Sequence, residues 1–278
     1  MKTARIHIEK GGIYSCIVGR PNYDLMEFGV PLGGPMDVTS AQLANEMLGK
    51  QQDAELFEFT LIGPTLRFEI DAQCVLSGAE MQARLNGSII ERFTIFQVKE
   101  GDKLEMGHAS EGFRAYLAIS AELPVTKAPF ISKRLDKGEN IVCTSVSELT
   151  TPTVTPIHPD QSNKIEILPG PESHFLKPEQ FQELENKELK IEASSNRMAY
   201  VFQTELKTLP SSFSSSAILP GTVQLTPSGQ LNIMMRDAQT TGGYPRIGVL
   251  TEKSIDRLAQ KRPGETIRLT FLKPNDGI

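Results

Sequence analysis

Short stretches in which apolar and polar residues alternate recur along most of the chain. Residues 5–10 read RIHIEK, 65–70 TLRFEI, 92–98 RFTIFQV and 164–168 KIEIL. A period of two puts the apolar side chains on one face of an extended strand. FRAYLAIS, at 113–120, is a more fully apolar strand. Turn signals separate these runs: NG at 86–87, EGD at 100–102 and PSGQ at 227–230. Many short strands at this spacing predict a mainly β fold of barrels or sandwiches.

Two segments change period and read as helices. In DVTSAQLANEMLGK (37–50), Asp37 can cap the N-terminus, Ala41, Ala44 and Leu48 share a face, and Gly49 stands at the stop. In TEKSIDRLAQKRPG (251–264), Thr251 can cap and Ile255, Leu258 and Ala259 form an apolar stripe. Lys261 and Arg262 suit the negative end of that helix, and Pro263-Gly264 terminates it. TSVSELTTPTVTPIHPDQSN (144–163) is rich in Thr, Ser and Pro, and reads as a linker. It divides the chain into an N-terminal module, 1–150, and a C-terminal module, 151–278. TLPSSFSSSA (208–217) is expected to be a polar, mobile loop.

Composition narrows the function. Of 278 residues, 39% are hydrophobic and 23% charged, which is globular and not disordered. A net charge of −5 argues against a nucleic-acid partner, which requires a basic face. Apolar runs such as AYLAI (115–119) are far too short to span a membrane, and the first residues lack the apolar core of a signal peptide. Cys16, Cys74 and Cys143 are too far apart to form a metal knuckle or a disulfide framework, so a reduced, cytoplasmic protein is expected. His7, His108, His158 and His174 show no ligand spacing, and no metal is expected. No GxxxxGK[ST], GxGxxG or GxSxG motif occurs.

Four segments carry candidate chemistry. In GVPLGGPMD (29–37), Gly33, Gly34, Pro35 and Met36 make a tight loop into a helix. Such a loop either offers N–H groups to an anion or is a glycine turn capped by Asp37, and locally the turn is favoured. In LFEFTLIGPTLRF (56–68), Glu58 is either an outward strand residue, the commoner case, or a buried and paired carboxylate. In SSNRMAYVFQ (194–203), Arg197, followed by Met198, is either a surface arginine or a guanidinium set to grip a carboxylate or phosphate. The richest segment is RDAQTTGGYPRIG (236–248), preceded by Gln224. Asp237 can accept an amide N–H, while Gln224, Gln239, Thr240 and Thr241 can donate to a carbonyl. Gly242-Gly243 can form an N–H nest for an oxyanion, and Tyr244 adds a wall and a hydroxyl. A turn requires far less.

Taken in order, GVPLGGPMD…AQLANEMLGK, LFEFTLIGPTLRF, SSNRMAY, RDAQTTGGYPRIG and LAQKRPGETIRLTF resemble the family of the 5-oxoprolinase C component. That family includes KipI antagonists and allophanate hydrolase subunit 2 proteins, and it is similar to half of the carboxyltransferase domain of urea carboxylase. The resemblance covers nearly the whole chain. Asn196 replaces the usual Asp, Ala199 a Gly, Gly33 a Ser and Lys50 an Asn, and residues 120–139 form a shortened stretch.

The resemblance implies cyclophilin-like β-barrel modules with a few short helices. It implies a hydrolase active only as a complex with a KipI-like B subunit and an oxoprolinase A subunit. The reaction would open the lactam of 5-oxoproline to L-glutamate with ATP, which the complex binds. On this reading Asp237, Arg197, Thr240 and Tyr244 are catalytic. Gly34, Pro35, Met36, Glu58, Met198, Gln224, Gln239, Thr241, Gly242 and Gly243 contact substrate. The resemblance leaves two alternatives, a regulatory protein antagonising a KipI-like inhibitor and a carboxyltransferase half. No biotin-carrier motif occurs, so the latter would need a second protein.

Overall fold

The computed structural model describes residues 3–124, 132–145, 152, 154–156, 158–206 and 213–272. The expected linker at 144–163, the loop at 208–217 and the shortened stretch at 120–139 therefore lie partly outside the described residues. The chain splits into two compact units, Met1–Pro21 with Gly33–Pro159, and Asn22–Leu32 with Asp160–Ile278. Both are mainly β and barrel-like.

The strands of the first unit are β1 (Thr3–Lys10), β2 (Tyr14–Val18), β3 (Leu56–Thr60), β4 (Thr65–Phe68), β5 (Ala72–Glu80), β6 (Arg84–Leu85), β7 (Ser88–Ile89), β8 (Ile95–Val98), β9 (Lys103–Glu105), β10 (Glu111–Ile119), β11 (Ala121–Glu122) and β12 (Asn140–Ser145). One sheet has the order β11-β12-β1-β4-β9-β6-β7 and the other β2-β3-β10-β5-β8. The first strand closes on the last, with Thr3 opposite Thr144 and Ile6 opposite Ile141.

Alternation decides what lies between the sheets. Ile6, Ile8, Leu66, Phe68 and Leu104 from one sheet share a core with Ile17, Phe57, Phe59, Leu76 and Leu117 from the other. Burying each phenylalanine contributes roughly 1.5–3 kcal/mol. The opposite face of the second sheet holds Cys16, Leu56, Val75 and Tyr116, and helix α1 (Val38–Met47) covers it with Ala41, Ala44, Met47 and Leu48. Asp37 caps α1 by accepting from Ser40 N–H at 2.9 Å, and Gly49 follows its end at φ +70°. The expected strand at 92–98 is shorter, because Phe93 at φ +58° interrupts extension before Ile95.

The strands of the second unit are β13 (Lys164–Pro169), β14 (Leu189–Lys190), β15 (Ala199–Gln203), β16 (Ser216–Ala217), β17 (Thr222–Leu225), β18 (Gln230–Met234), β19 (Thr241–Gly242), β20 (Arg246–Leu250) and β21 (Thr266–Phe271). Their sheet runs β14-β21-β13-β20-β17-β18-β15, and β16 and β19 form a separate ribbon. β13 and β21 pair in parallel, Lys164 opposite Arg268. Helix α2 (Pro178–Asn186) has no counterpart in the sequence pattern: only Leu184 is buried, so it carries no apolar stripe. Helix α3 (Glu252–Ala259) starts at Thr251, whose side chain caps Ser254 N–H, and buries Ile255, Leu258 and Ala259.

Candidate functional site

The polar run after β18 is not a hairpin. β17 lies between β18 and β20 and runs antiparallel to both, so β18 and β20 are mutually parallel. A connection between parallel strands must cross over its neighbour. The run 235–245 makes that crossing, and its length follows from the topology.

Its first residues extend the pairing of β15 with β18. Met235 N–H donates to the Met198 carbonyl at 2.9 Å and Asp237 N–H to the Arg197 carbonyl at 3.0 Å. This register sets the two side chains face to face. Arg197 Nε donates to Asp237 Oδ2 at 2.8 Å and Nη2 to Oδ1 at 2.9 Å, a bidentate pair with side chains 8% and 15% exposed. Arg197 is therefore buried rather than a surface arginine. Within the chain, its carboxylate partner is Asp237.

The far end of the crossing is fixed by Gln224. This residue is buried at a register shift in β17, and its Nε2 donates to the Tyr244 carbonyl at 3.2 Å. A Cβ on Gly242 would stand 2.5 Å from that nitrogen, so only glycine lets the amide in without displacement. The expected N–H nest at Gly242-Gly243 is not formed. Neither residue has positive φ, and Thr241–Gly242 instead pair as β19 with Ala217 and Ser216. A nest needs alternating right- and left-handed residues, which extended pairing excludes. The Thr240 carbonyl accepts from Ile218 N–H at 3.0 Å, while Gln239, Thr241, Met198 and Tyr244 are exposed.

Two arginines that the sequence reading passes over complete the frame. Arg246 holds Glu172 in a fork, Nε to Oε2 at 2.8 Å and Nη2 to Oε1 at 2.6 Å, and reaches the Ala217 carbonyl at 3.1 Å. Its side-chain hydrogen bonds hold the Glu172 carboxyl below the usual carboxylate range. Arg236, buried at the start of the crossing, pairs with Glu252 at 2.8 Å and Asp256 at 3.7 Å on α3. Both lie within RDAQTTGGYPRIG, and the signal was their position flanking an otherwise polar loop.

In the first unit, Gly33 and Gly34 have φ +69° and +84° and make the tight loop expected before α1. Pro35 and Met36 are buried. Glu58 is fully buried, contrary to the commoner expectation, and its Oε2 accepts from Met36 N–H at 2.8 Å. Tyr116 Oη accepts from Asp37 N–H at 2.8 Å. Burial, followed by the Glu58 and Asp37 carboxylates, pushes the Tyr116 phenol well above its usual range. Arg114, 3.7 Å from Glu58 and stacked on Phe113, is the counter-charge. A charged residue inside FRAYLAIS was the readable sign of it. The N–H groups of Met36 and Asp37 are thus used internally, and Glu58 braces the loop from inside the unit. Among the described residues, no helix is long and apolar enough to cross a membrane.

With both units in view, residues 28–271 match the family model described as carboxyltransferase domain, subdomain A and B, and the chain belongs to that family. Among individual relatives, it is 30% identical over 262 residues to the C component of 5-oxoprolinase from Haemophilus influenzae (strain ATCC 51907 / DSM 11121 / KW20 / Rd), covering 88% of this chain and 84% of that protein. It is 28% identical over 277 residues to the C component of 5-oxoprolinase from Escherichia coli (strain K12), covering 94% and 89%. Its fold matches the crystal structure of the Kluyveromyces lactis urea carboxylase with TM-score 0.83 and 25% identity, covering 98% of this chain but 28% of that one.

Proposed function

We propose that this chain is the C component of an ATP-dependent 5-oxoprolinase, a hydrolase complex that opens the lactam of 5-oxoproline to L-glutamate. The similarity to two proteins of that name supports the assignment. The observation that carries the chemistry is the buried Arg197–Asp237 pair.

A ring amide is locked cis, so its N–H and C=O point to the same side. Urea presents the same edge. A guanidinium and a carboxylate held side by side offer a donor and an acceptor in matching order. Asp237 accepts the lactam N–H, and Arg197 polarises the carbonyl oxygen by charge-assisted hydrogen bonding. On this reading Met198, Thr240 and Tyr244 also contact the substrate, and Gln224 fixes the backbone at Tyr244. Ring opening breaks the C–N bond, adds hydroxyl from water to the carbonyl carbon and returns a proton to the nitrogen. Glu58 and Tyr116 already engage the Met36 and Asp37 N–H groups at the glycine-rich entry to α1, and Asp37 engages that of Ser40. The local carboxylates also oppose a polyanion. We therefore assign ATP to another subunit, with a KipI-like B protein and an A protein as companions.

The family membership and the urea carboxylase likeness favour one second reading, a carboxyltransferase half acting on urea or a similar amide. The biotin would be carried by a separate protein. Mixing the chain with its A and B companions, ATP and 5-oxoproline should release glutamate. An assembled complex that releases none, yet carboxylates urea when given a biotin carrier, would replace the first reading with the second.

A further inference from the structure

We infer that Asn22–Leu32 is a docking element for a companion subunit presenting an apolar groove edged by lysine or arginine. The inference rests on the reading of this chain as one subunit of a complex, and adds the surface that holds the complex together.

The segment contains a 3-10 turn, Tyr23–Phe28, with sequence YDLMEF and no buried residue. Phe28 is 73% exposed and Tyr23 65%, and Leu25 and Met26 are only half-buried. Aromatic residues and methionine are the types enriched where proteins bind one another. The turn is preformed. Asn22 N–H and Nδ2 donate to the Leu32 carbonyl at 2.7 and 3.3 Å, closing the base of the excursion. Gly29, at φ +79°, ends the turn and donates to the Met26 carbonyl at 3.0 Å. A tip already held in shape loses little freedom on binding.

Charge selects the partner. Asp24 and Glu27 are exposed in the same turn, and residues 22–32 include no lysine or arginine. A second copy of this chain would bring the same acidic residues together across a two-fold axis, which disfavours self-association. A basic rim removes that repulsion and steers the encounter. Relatives named as one component of 5-oxoprolinase imply that companion subunits exist.

The test uses the KipI-like B subunit as probe, with titration calorimetry and size-exclusion chromatography. The Tyr23→Ser/Phe28→Ser variant should weaken association at least about 30-fold while keeping the wild-type dichroism and melting temperature. Asp24→Lys/Glu27→Lys, which touches no apolar contact, should weaken it about 10-fold and flatten its salt dependence. Wild-type affinity in both variants overturns the docking element and leaves the complex intact. No association of the wild-type chain overturns the complex as well. A change confined to self-association assigns the patch to a second copy and overturns the proposed partner.

Discussion

Removing one member of the Arg197–Asp237 pair leaves the other charge buried, which typically costs about 3 kcal/mol. Arg197→Met and Asp237→Leu should each lower stability by roughly that amount in urea unfolding. The Arg197→Met/Asp237→Leu double variant should regain most of it, because no charge is stranded. Turnover should not return with stability, since the double variant lacks both donor and acceptor. Glutamate release by the refolded double variant would make the pair structural only. A different residue reports on pH. The Lys50 ammonium donates to the carbonyls of Ile119 at 2.9 Å and of Ala121 and Glu55 at 3.3 Å. Burial lowers its pKa from 10.5 to about 8. The folded state therefore sheds this proton before the unfolded chain does, and stability should rise as pH increases from about 8 toward 10.5. The difference between wild type and Lys50→Met should change by on the order of 2 kcal/mol in favour of wild type between neutral and alkaline buffer. A constant difference would show that Lys50 titrates normally.

At the scale of elements, the crossing between β18 and β20 is held by the fit of Gln224 beneath Gly242. Gly242→Ala should push the amide away from Tyr244 and reduce turnover by about 10-fold or more, with little loss of stability because a side-chain end can move. In a Gln224→Ala background the glycine substitution should cost almost nothing, and a double-mutant cycle in kcat/KM measures the coupling. Thr251→Ala removes the cap of α3 and should cost about 1 kcal/mol in thermal unfolding. That cap and Asp37 of α1 were legible because capping is local chemistry. Helix α2 was not, since a helix with one buried residue leaves no periodic trace. In 236–248 a surplus of polar groups draws attention to Asp237, while Arg197 in its own segment is equally consistent with a surface position. Their pairing was not legible, because it depends on β15 lying beside β18, a long-range fact. The glycine pair misleads for a similar reason: its partner strand, Ser216–Ala217, lies in a segment that looks like loop.

At the scale of the molecule, alternation was enough to indicate a mainly β chain, since period-two patterning survives in most of its strands. The assignment of Asn22–Leu32 to the second unit had no sequence signal. It depends on where a short turn packs, not on its composition. In the second unit β21 lies inside the sheet, paired with both β13 and β14. A chain stopped after Gly264 lacks that strand, and calorimetry should show the second unit's cooperative transition lost. The first unit has a longer-range pairing, β1 with β12, Thr3 opposite Thr144, and it imposes an order on synthesis. β1 lies between β4 and β12, and β4 leaves the ribosome well before β12 does. At about 5–20 residues per second the nascent chain waits roughly 7–30 s for β12. Once β4 has emerged, Ile6 and Ile8 can pair with Phe68 and Leu66, but the other side of β1 stays open until β12 arrives, the kind of edge that other chains join. Yield should therefore respond to chaperones and translation rate as well as to the stability of the finished fold.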